Sequence, residues 1–232
     1  NAGPGPLLDW LRTRTERTEG RPVAADEIVV TAGASEAIDQ LCALHTRPGD
    51  AALVESPTYH LAVRIMRDHG LELVPVPVDA DGLDVAALKT TLVELKRAGR
   101  APRLLYTIPT FHNPTGLSLS PERRRAVIEL AAEAGLLIVE DDAYRELAYD
   151  GEAPPSLWSQ APPGTVARVG SFAKSLAPGL RLGWITGPAA VVGRLVDGGL
   201  RTSGGGLNHY TALTAAALCA DGHFEVNVAR LR

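Results

Sequence analysis

Cysteine is scarce in this chain, with two in 232 residues. Cys42 and Cys219 both sit inside apolar helical patterns without metal-ligand spacing, which excludes a disulfide scaffold and a thiolate metal site and fits a reducing interior. There is no run of 18 apolar residues and no charged-then-apolar leader, so neither a membrane span nor a secretion signal is expected and a cytoplasmic location is the default. Basic surplus is also missing. Lys and Arg number 23 against 27 Asp and Glu, a formal net charge of −4, which leaves no electrostatic footprint for nucleic acid. The charge-rich residues 12–19 mix signs as a solvated helix face does. No repeat or low-complexity segment is visible.

Short apolar runs bounded by Gly and Pro alternate with longer helical patterns along the whole chain, the pattern of successive βαβ units around a mainly parallel sheet. Strands are expected at 28–31, 51–55, 103–107, 135–140, 166–170 and 182–186, the last closing the sheet. Residues 73–78 are extended but carry Pro75 and Pro77, which demotes them to an edge or short strand. Helices are expected over 36–44, 59–69, 84–97 and 121–134, the last with Ser120 at the cap and Pro121 at the first position. The final 40 or so residues read as mostly helical around the Gly204-Gly205-Gly206 break. The fold class is α/β, in three αβα layers.

The conspicuous loops lie at the carboxyl ends of expected strands, where open α/β sheets place ligands. In Ser171-Phe172-Ala173-Lys174-Ser175-Leu176-Ala177-Pro178-Gly179-Leu180-Arg181, small residues surround one lysine on a loop between buried strands. A lysine desolvated there sheds its proton more readily and can attack a carbonyl. A hydroxyl and a guanidinium close by suit a phosphate dianion. That combination suggests pyridoxal phosphate; taken alone, it is equally compatible with a surface lysine and an arginine in a turn. Gly33-Ala34-Ser35 turns straight into a helix, so it is either a phosphate-binding helix start or a plain capping serine. Asn113, before Pro114, is either a positioned amide donor or an Asx turn.

Val139-Glu140-Asp141-Asp142-Ala143-Tyr144 leaves a strand with three consecutive acids. At least one carboxylate is expected to be partly buried, and a buried carboxylate requires a cationic partner. Asp141 and Tyr144 can face a common ring while Asp142 points away, and a protonated pyridine nitrogen would serve as the cation. Adjacent acids also bind Mg²⁺ in phosphoryl enzymes, but no Walker-type loop accompanies these. Tyr59, in Glu55-Ser56-Pro57-Thr58-Tyr59, would stack on a flat ligand or pack in the core.

Taken together and in order, Gly33-Ala34-Ser35, Pro57-Thr58-Tyr59, Asn113-Pro114-Thr115-Gly116, Asp141-x-x-Tyr144 and Ser171-x-x-Lys174 with Arg181 resemble the class I/II pyridoxal-phosphate aminotransferases of fold type I. The likeness is strongest to the branch with aminoadipate- and kynurenine-type enzymes and the aminotransferase-like domain of MocR regulators, and it runs from about Leu8 to the end. It implies that Lys174 carries pyridoxal 5'-phosphate as a Schiff base and then acts as the general base and acid. It further implies that Asp141 keeps the ring nitrogen protonated, that Asn113 and Tyr144 bind the phenolate oxygen, and that Tyr59 stacks on the ring. Gly33, Ala34, Ser35, Ser171 and Arg181 would form the phosphate site. The implied reaction moves an amino group from an L-amino acid to a 2-oxo acid in a homodimer with its active site at the interface.

Residues 1–232 would form the cofactor-binding large domain. Family members have an N-terminal arm and a smaller C-terminal domain with an arginine for the substrate carboxylate. Neither is expected within this chain, which reads either as a fragment or as a minimal form. In the family, 202–210 approaches the neighbouring subunit. Because the cofactor residues serve many reactions, a lyase, decarboxylase or cyclase is an alternative, as is the effector domain of a MocR-type regulator.

Overall fold

The structure, a computed structural model, describes residues 2–232. Eight strands form one sheet: β1 (Ile28–Thr31), β2 (Ala51–Ser56), β3 (Glu72–Asp79), β4 (Gly82–Leu83), β5 (Leu104–Thr107), β6 (Leu137–Asp141), β7 (Val166–Ser171) and β8 (Gly183–Thr186). Their spatial order is β1-β8-β7-β6-β5-β2-β3-β4. The five strands from β7 to β3 run parallel. β8 is antiparallel to both β7 and β1, and β4 is antiparallel to β3.

Among the described residues ten α-helices accompany them: α1 (Gly5–Glu19), α2 (Ala34–His45), α3 (His60–Asp68), α4 (Val85–Arg97), α5 (Pro121–Ala134), α6 (Leu157–Gln160), α7 (Ala189–Val196), α8 (Gly199–Thr202), α9 (His209–Ala220) and α10 (His223–Leu231). Period-two alternation along the strands divides the core between the two sheet faces. Val54, Tyr106, Val139, Val169 and Ile185 join Ile38 and Leu41 of α2, Met66 of α3 and Leu195 of α7. Leu53, Leu105, Ile138 and Val166 join Leu7 and Leu11 of α1, Leu88 of α4, Val127 of α5 and Phe224 of α10. This is the expected three-layer arrangement, with a mixed but mainly parallel sheet.

The sheet differs from the expectation at one strand. β8 does not close the sheet at an edge but is inserted between β1 and β7, since the long excursion of the chain from β1 lets the last strand enter antiparallel to both. β3 is not short, since it runs eight residues, but it is the expected edge over 72–77, where it pairs with β2 on one side alone. Its prolines survive because β4 reaches only Val78 and Asp79. Pro75 and Pro77, two apart, turn the same way toward the side β4 leaves uncovered, so neither removes a bond to β2.

The segment 12–19 is not simply a solvated face. The Glu19 side chain is fully buried, with Oε1 2.9 Å from Arg145 and 3.2 Å from Arg168. Its Oε2 accepts hydrogen bonds from the Ser156 backbone N–H and hydroxyl. Burial opposes its ionisation, but Arg168, Arg145 and the Ser156 bonds outweigh that and hold its carboxyl below the usual carboxylate range. Glu19→Ala would leave Asp142 as the one carboxylate paired with both Arg145 and Arg168 among the described residues, and is expected to cost about 3–5 kcal/mol at pH 7. Because the folded-state pKa is depressed, this stabilisation is present above the unfolded value near 4.5 and lost as pH falls through the folded one. Urea unfolding at pH 7 and pH 3 should therefore show the gap between parent and variant closing in acid.

Candidate active site

A cleft of about 320 Å³ opens at the carboxyl ends of the parallel strands, on the face covered by α2 and α3. Nine of the ten residues singled out in the sequence line it: Ala34, Ser35, Tyr59, Asn113 and Asp141, with Tyr144, Ser171, Lys174 and Arg181. The tenth, Gly33, is the N-cap of α2 immediately beneath Arg181.

One end of the cleft is built for an anion. Gly33 makes no side-chain cap, and the N–H groups of Ala34 and Ser35 begin the helix with no acceptor inside it. Gly33 takes φ 97°, and a Cβ placed there would lie 3.1 Å from Nη2 of Arg181. Arg181 itself sits in the left-handed region at φ 50°. Thus the guanidinium and the positive helix end converge only because position 33 has no side chain. Gly183 supports the same turn: a Cβ there would come within 2.9 Å of the Gly33 carbonyl carbon and 3.0 Å of the Ala34 nitrogen. The Ser171 Oγ accepts from the Ala173 N–H at 3.1 Å, which fixes the loop leading to Lys174.

The other end holds a carboxylate. Alternation along β6 separates the three acids, all of them buried. Glu140 and Asp142 face the α1 side, where Glu140 accepts from the N–H groups of Leu157 and Trp158 and Asp142 pairs with Arg168 at 2.7 Å. Asp141 faces the cleft. Its Oδ2 accepts the Tyr106 hydroxyl at 2.7 Å and its Oδ1 the Ala143 N–H at 3.3 Å. Among the described residues it forms no ion pair. Burial pushes its carboxyl up to about 6 from an ordinary 3.8, and the bonds from Tyr106 and Ala143 only partly offset this.

Between these ends, Asn113 Nδ2 donates to the Tyr144 hydroxyl at 3.3 Å, so the two present neighbouring polar groups to the cleft. The Lys174 Nζ lies 5.6 Å from the Tyr144 ring centroid. Lys174 is exposed, contrary to the desolvation expected from its apolar neighbours. Phe172 and Ser175 take the buried positions of that loop, leaving Lys174 at the open mouth. Tyr59 is half-buried against the cleft, not a core residue, and burial beside Tyr144 and Asp141 raises the pKa of its phenol. Ile38, Ile108, Ala143 and Ala173 complete the walls. Tyr106 was read only as part of a strand; its one signal was a polar tip in a run that is otherwise apolar but for Thr107.

The cleft offers an anion site at one end, a buried carboxylate awaiting a cation at the other, and an amine between aromatic and amide groups. The chain also resembles known proteins over nearly its whole length. The model for "Aminotransferase class I and II" matches residues 7–232, and the chain belongs to this family. Aromatic-amino-acid aminotransferase 1 of Thermococcus litoralis is 38% identical over 181 residues, covering 77% of this chain and 42% of that protein. The uncharacterized HTH-type transcriptional regulator YdfD of Bacillus subtilis is 33% identical over 216 residues, covering 93% of this chain and 44% of the regulator. The structure of kynurenine aminotransferase from Pyrococcus horikoshii, in complex with PMP, superposes with a TM-score of 0.93 at 31% identity, over 100% of this chain and 57% of that one. The chain thus spans less than half the length of these curated relatives.

The raised Asp141 pKa carries a stability consequence. The folded state binds this proton more tightly than the unfolded state, so the penalty is absent below about 3.8 and complete above about 6. That gap corresponds to about 3 kcal/mol. In ligand-free protein, Asp141→Asn should raise unfolding stability at pH 8 by about 2–3 kcal/mol and change little at pH 3.5, as read by urea unfolding at both pH values.

Proposed function

We propose that this chain is the pyridoxal-phosphate-binding large domain of an aminotransferase that moves an amino group from an L-amino acid to a 2-oxo acid. The observation that carries this reading is the single cleft joining Asp141, Lys174, Arg181 and the start of α2. Its volume is in the range of small-ligand sites. The donor set fits the cofactor at each end: a guanidinium and free helix N–H groups for a phosphate, an uncompensated buried carboxylate for a pyridinium. When bound, pyridoxal phosphate supplies an aldehyde that condenses with amines and a ring that accepts the electron pair left by a departing α-proton.

Lys174 provides the amine that anchors the aldehyde covalently. When not holding the aldehyde, its Nζ would serve as the base that takes the proton from the substrate α-carbon and as the acid that gives it up. Asp141 holds a proton on the ring nitrogen. Asn113 Nδ2 and the Tyr144 hydroxyl would donate to the phenolate oxygen, and Tyr59 would cover one ring face. The N–H groups of Ala34 and Ser35, the hydroxyls of Ser35 and Ser171 and the Arg181 guanidinium bind the phosphate, with Gly33 leaving room for the guanidinium. A homodimer and a cytoplasmic setting belong to this proposal. No helix among the described residues is long and apolar enough to cross a membrane.

A regulator reading is favoured by one observation, the likeness to YdfD across 93% of this chain. It keeps the same cofactor residues and changes only what cofactor occupancy controls.

Borohydride reduction of protein loaded with pyridoxal phosphate should fix the cofactor in the parent and not in Lys174→Ala. Equal incorporation by the variant would remove Lys174 from its role. Arg181→Ala should weaken cofactor binding roughly 10- to 100-fold while leaving the fold intact, since it deletes charge-assisted bonds to a phosphate. Titration by absorbance measures this.

A further inference from the structure

The Asp141 carboxylate is held by a residue that does not line the cleft. Tyr106 lies on β5, fully buried, in register with Val139 of β6 and Val54 of β2. That register puts its side chain on the same sheet face as Asp141, which is two residues beyond Val139 and therefore diagonal to Tyr106 across the strand pair. Its hydroxyl reaches Asp141 Oδ2 at 2.7 Å. With the Ala143 N–H on Oδ1, each carboxylate oxygen has one fixed donor. The carboxylate plane of Asp141 is thus set from beneath, with its remaining acceptor capacity free for the cleft.

We propose that Tyr106 is a positioning residue of this site: its hydroxyl orients the Asp141 carboxylate toward the ring nitrogen of the bound cofactor. This rests on the cofactor reading above. The tyrosine is suited to the task because its own ionisation is suppressed. Burial, then Asp141 and Glu55, raise the pKa of its phenol well above the ordinary value, so it remains a donor across the working pH range. A protonated phenol in turn favours the ionised form of its acceptor.

The charged groups acting on Asp141 come from several elements. Asp142, next along the chain, and Glu55 at the end of β2 both oppose its ionisation. Glu55 is itself engaged by the Thr107 hydroxyl, the Ile108 N–H and His112, whose Nε2 lies 3.1 Å away. Tyr59 and Tyr144 share the cleft with it, as do the cations of Lys174 and Arg181. None of these donates a hydrogen bond to the carboxylate, whereas Tyr106 does.

The test follows the Asp141 carboxyl carbon by NMR in full-length chain labelled with ¹³C-aspartate, the resonance being assigned by its loss in Asp141→Asn. In the parent it should titrate near 6. Tyr106→Phe removes one oxygen from a buried site and should move the midpoint upward by about one pH unit, a tenfold change. Site-specific 3-fluorotyrosine at position 106 keeps the shape and strengthens the donor, and should move it downward. In loaded protein, Tyr106→Phe should also shift the visible absorption spectrum in the same direction as Asp141→Asn, by a smaller amount.

An unchanged midpoint in Tyr106→Phe overturns the proposal, as does an unchanged midpoint with 3-fluorotyrosine should the Phe variant fail to fold. The cofactor reading fails separately: if Asp141→Asn binds pyridoxal phosphate with the parent's spectrum, Asp141 does not meet the ring, whatever Tyr106 does to its titration.

Discussion

A carboxylate at the end of a central strand, buried and in no ion pair among the described residues, is the constraint on which the site depends. Among the described residues, Asp141 has two hydrogen bonds, from Tyr106 and the Ala143 N–H, to offset its removal from water. Such a group is costly in a folded chain, and its retention in a cleft points to a ligand that completes it. The contrast with its neighbour is direct. Asp142, one residue later and on the opposite face, is buried to the same degree but pairs with Arg168. The end of β6 and the residue after it therefore carry one acid left available and one tied into an ion pair.

The rest of the architecture keeps that acid in place and sets its distance from the anion site. Parallel β2, β5, β6 and β7 end together, so Glu55, Tyr106, Asp141 and Ser171 stand at one edge. The Glu55 carboxylate takes the Thr107 hydroxyl and the Ile108 N–H, which anchors the loop carrying Asn113. On the far face, Glu19 joins α1 to Arg145 and Arg168, tying the first helix to the segment after β6. At the phosphate end, close backbone approach at Gly33 and Gly183 replaces side-chain packing.

Much of this was legible in the sequence because each chemical loop follows a strand and carries residues that a plain connection does not need. Asp141 and Tyr144, three apart, and Ser171 with Lys174 were readable as sets on that ground. What escaped depends on tertiary neighbours. Lys174 has apolar flanks yet is exposed, since Phe172 and Ser175 take the inward positions. Glu19 looks like one charge among several on a helix but is buried by arginines more than a hundred residues away. Pro75 and Pro77 read rightly as an edge, but only the short reach of β4 shows which side of β3 is open. Tyr106 reads as strand filler, because its partner is on another strand and only the register brings them together.

The most direct test of the central claim is the protonation state of the ring nitrogen in the bound cofactor. Protein loaded with pyridoxal phosphate carrying ¹⁵N in the ring should show a protonated pyridinium signal at neutral pH, and Asp141→Asn should show an unprotonated one. A ring nitrogen that is unprotonated in the parent, or whose signal is the same in parent and variant, would contradict the account.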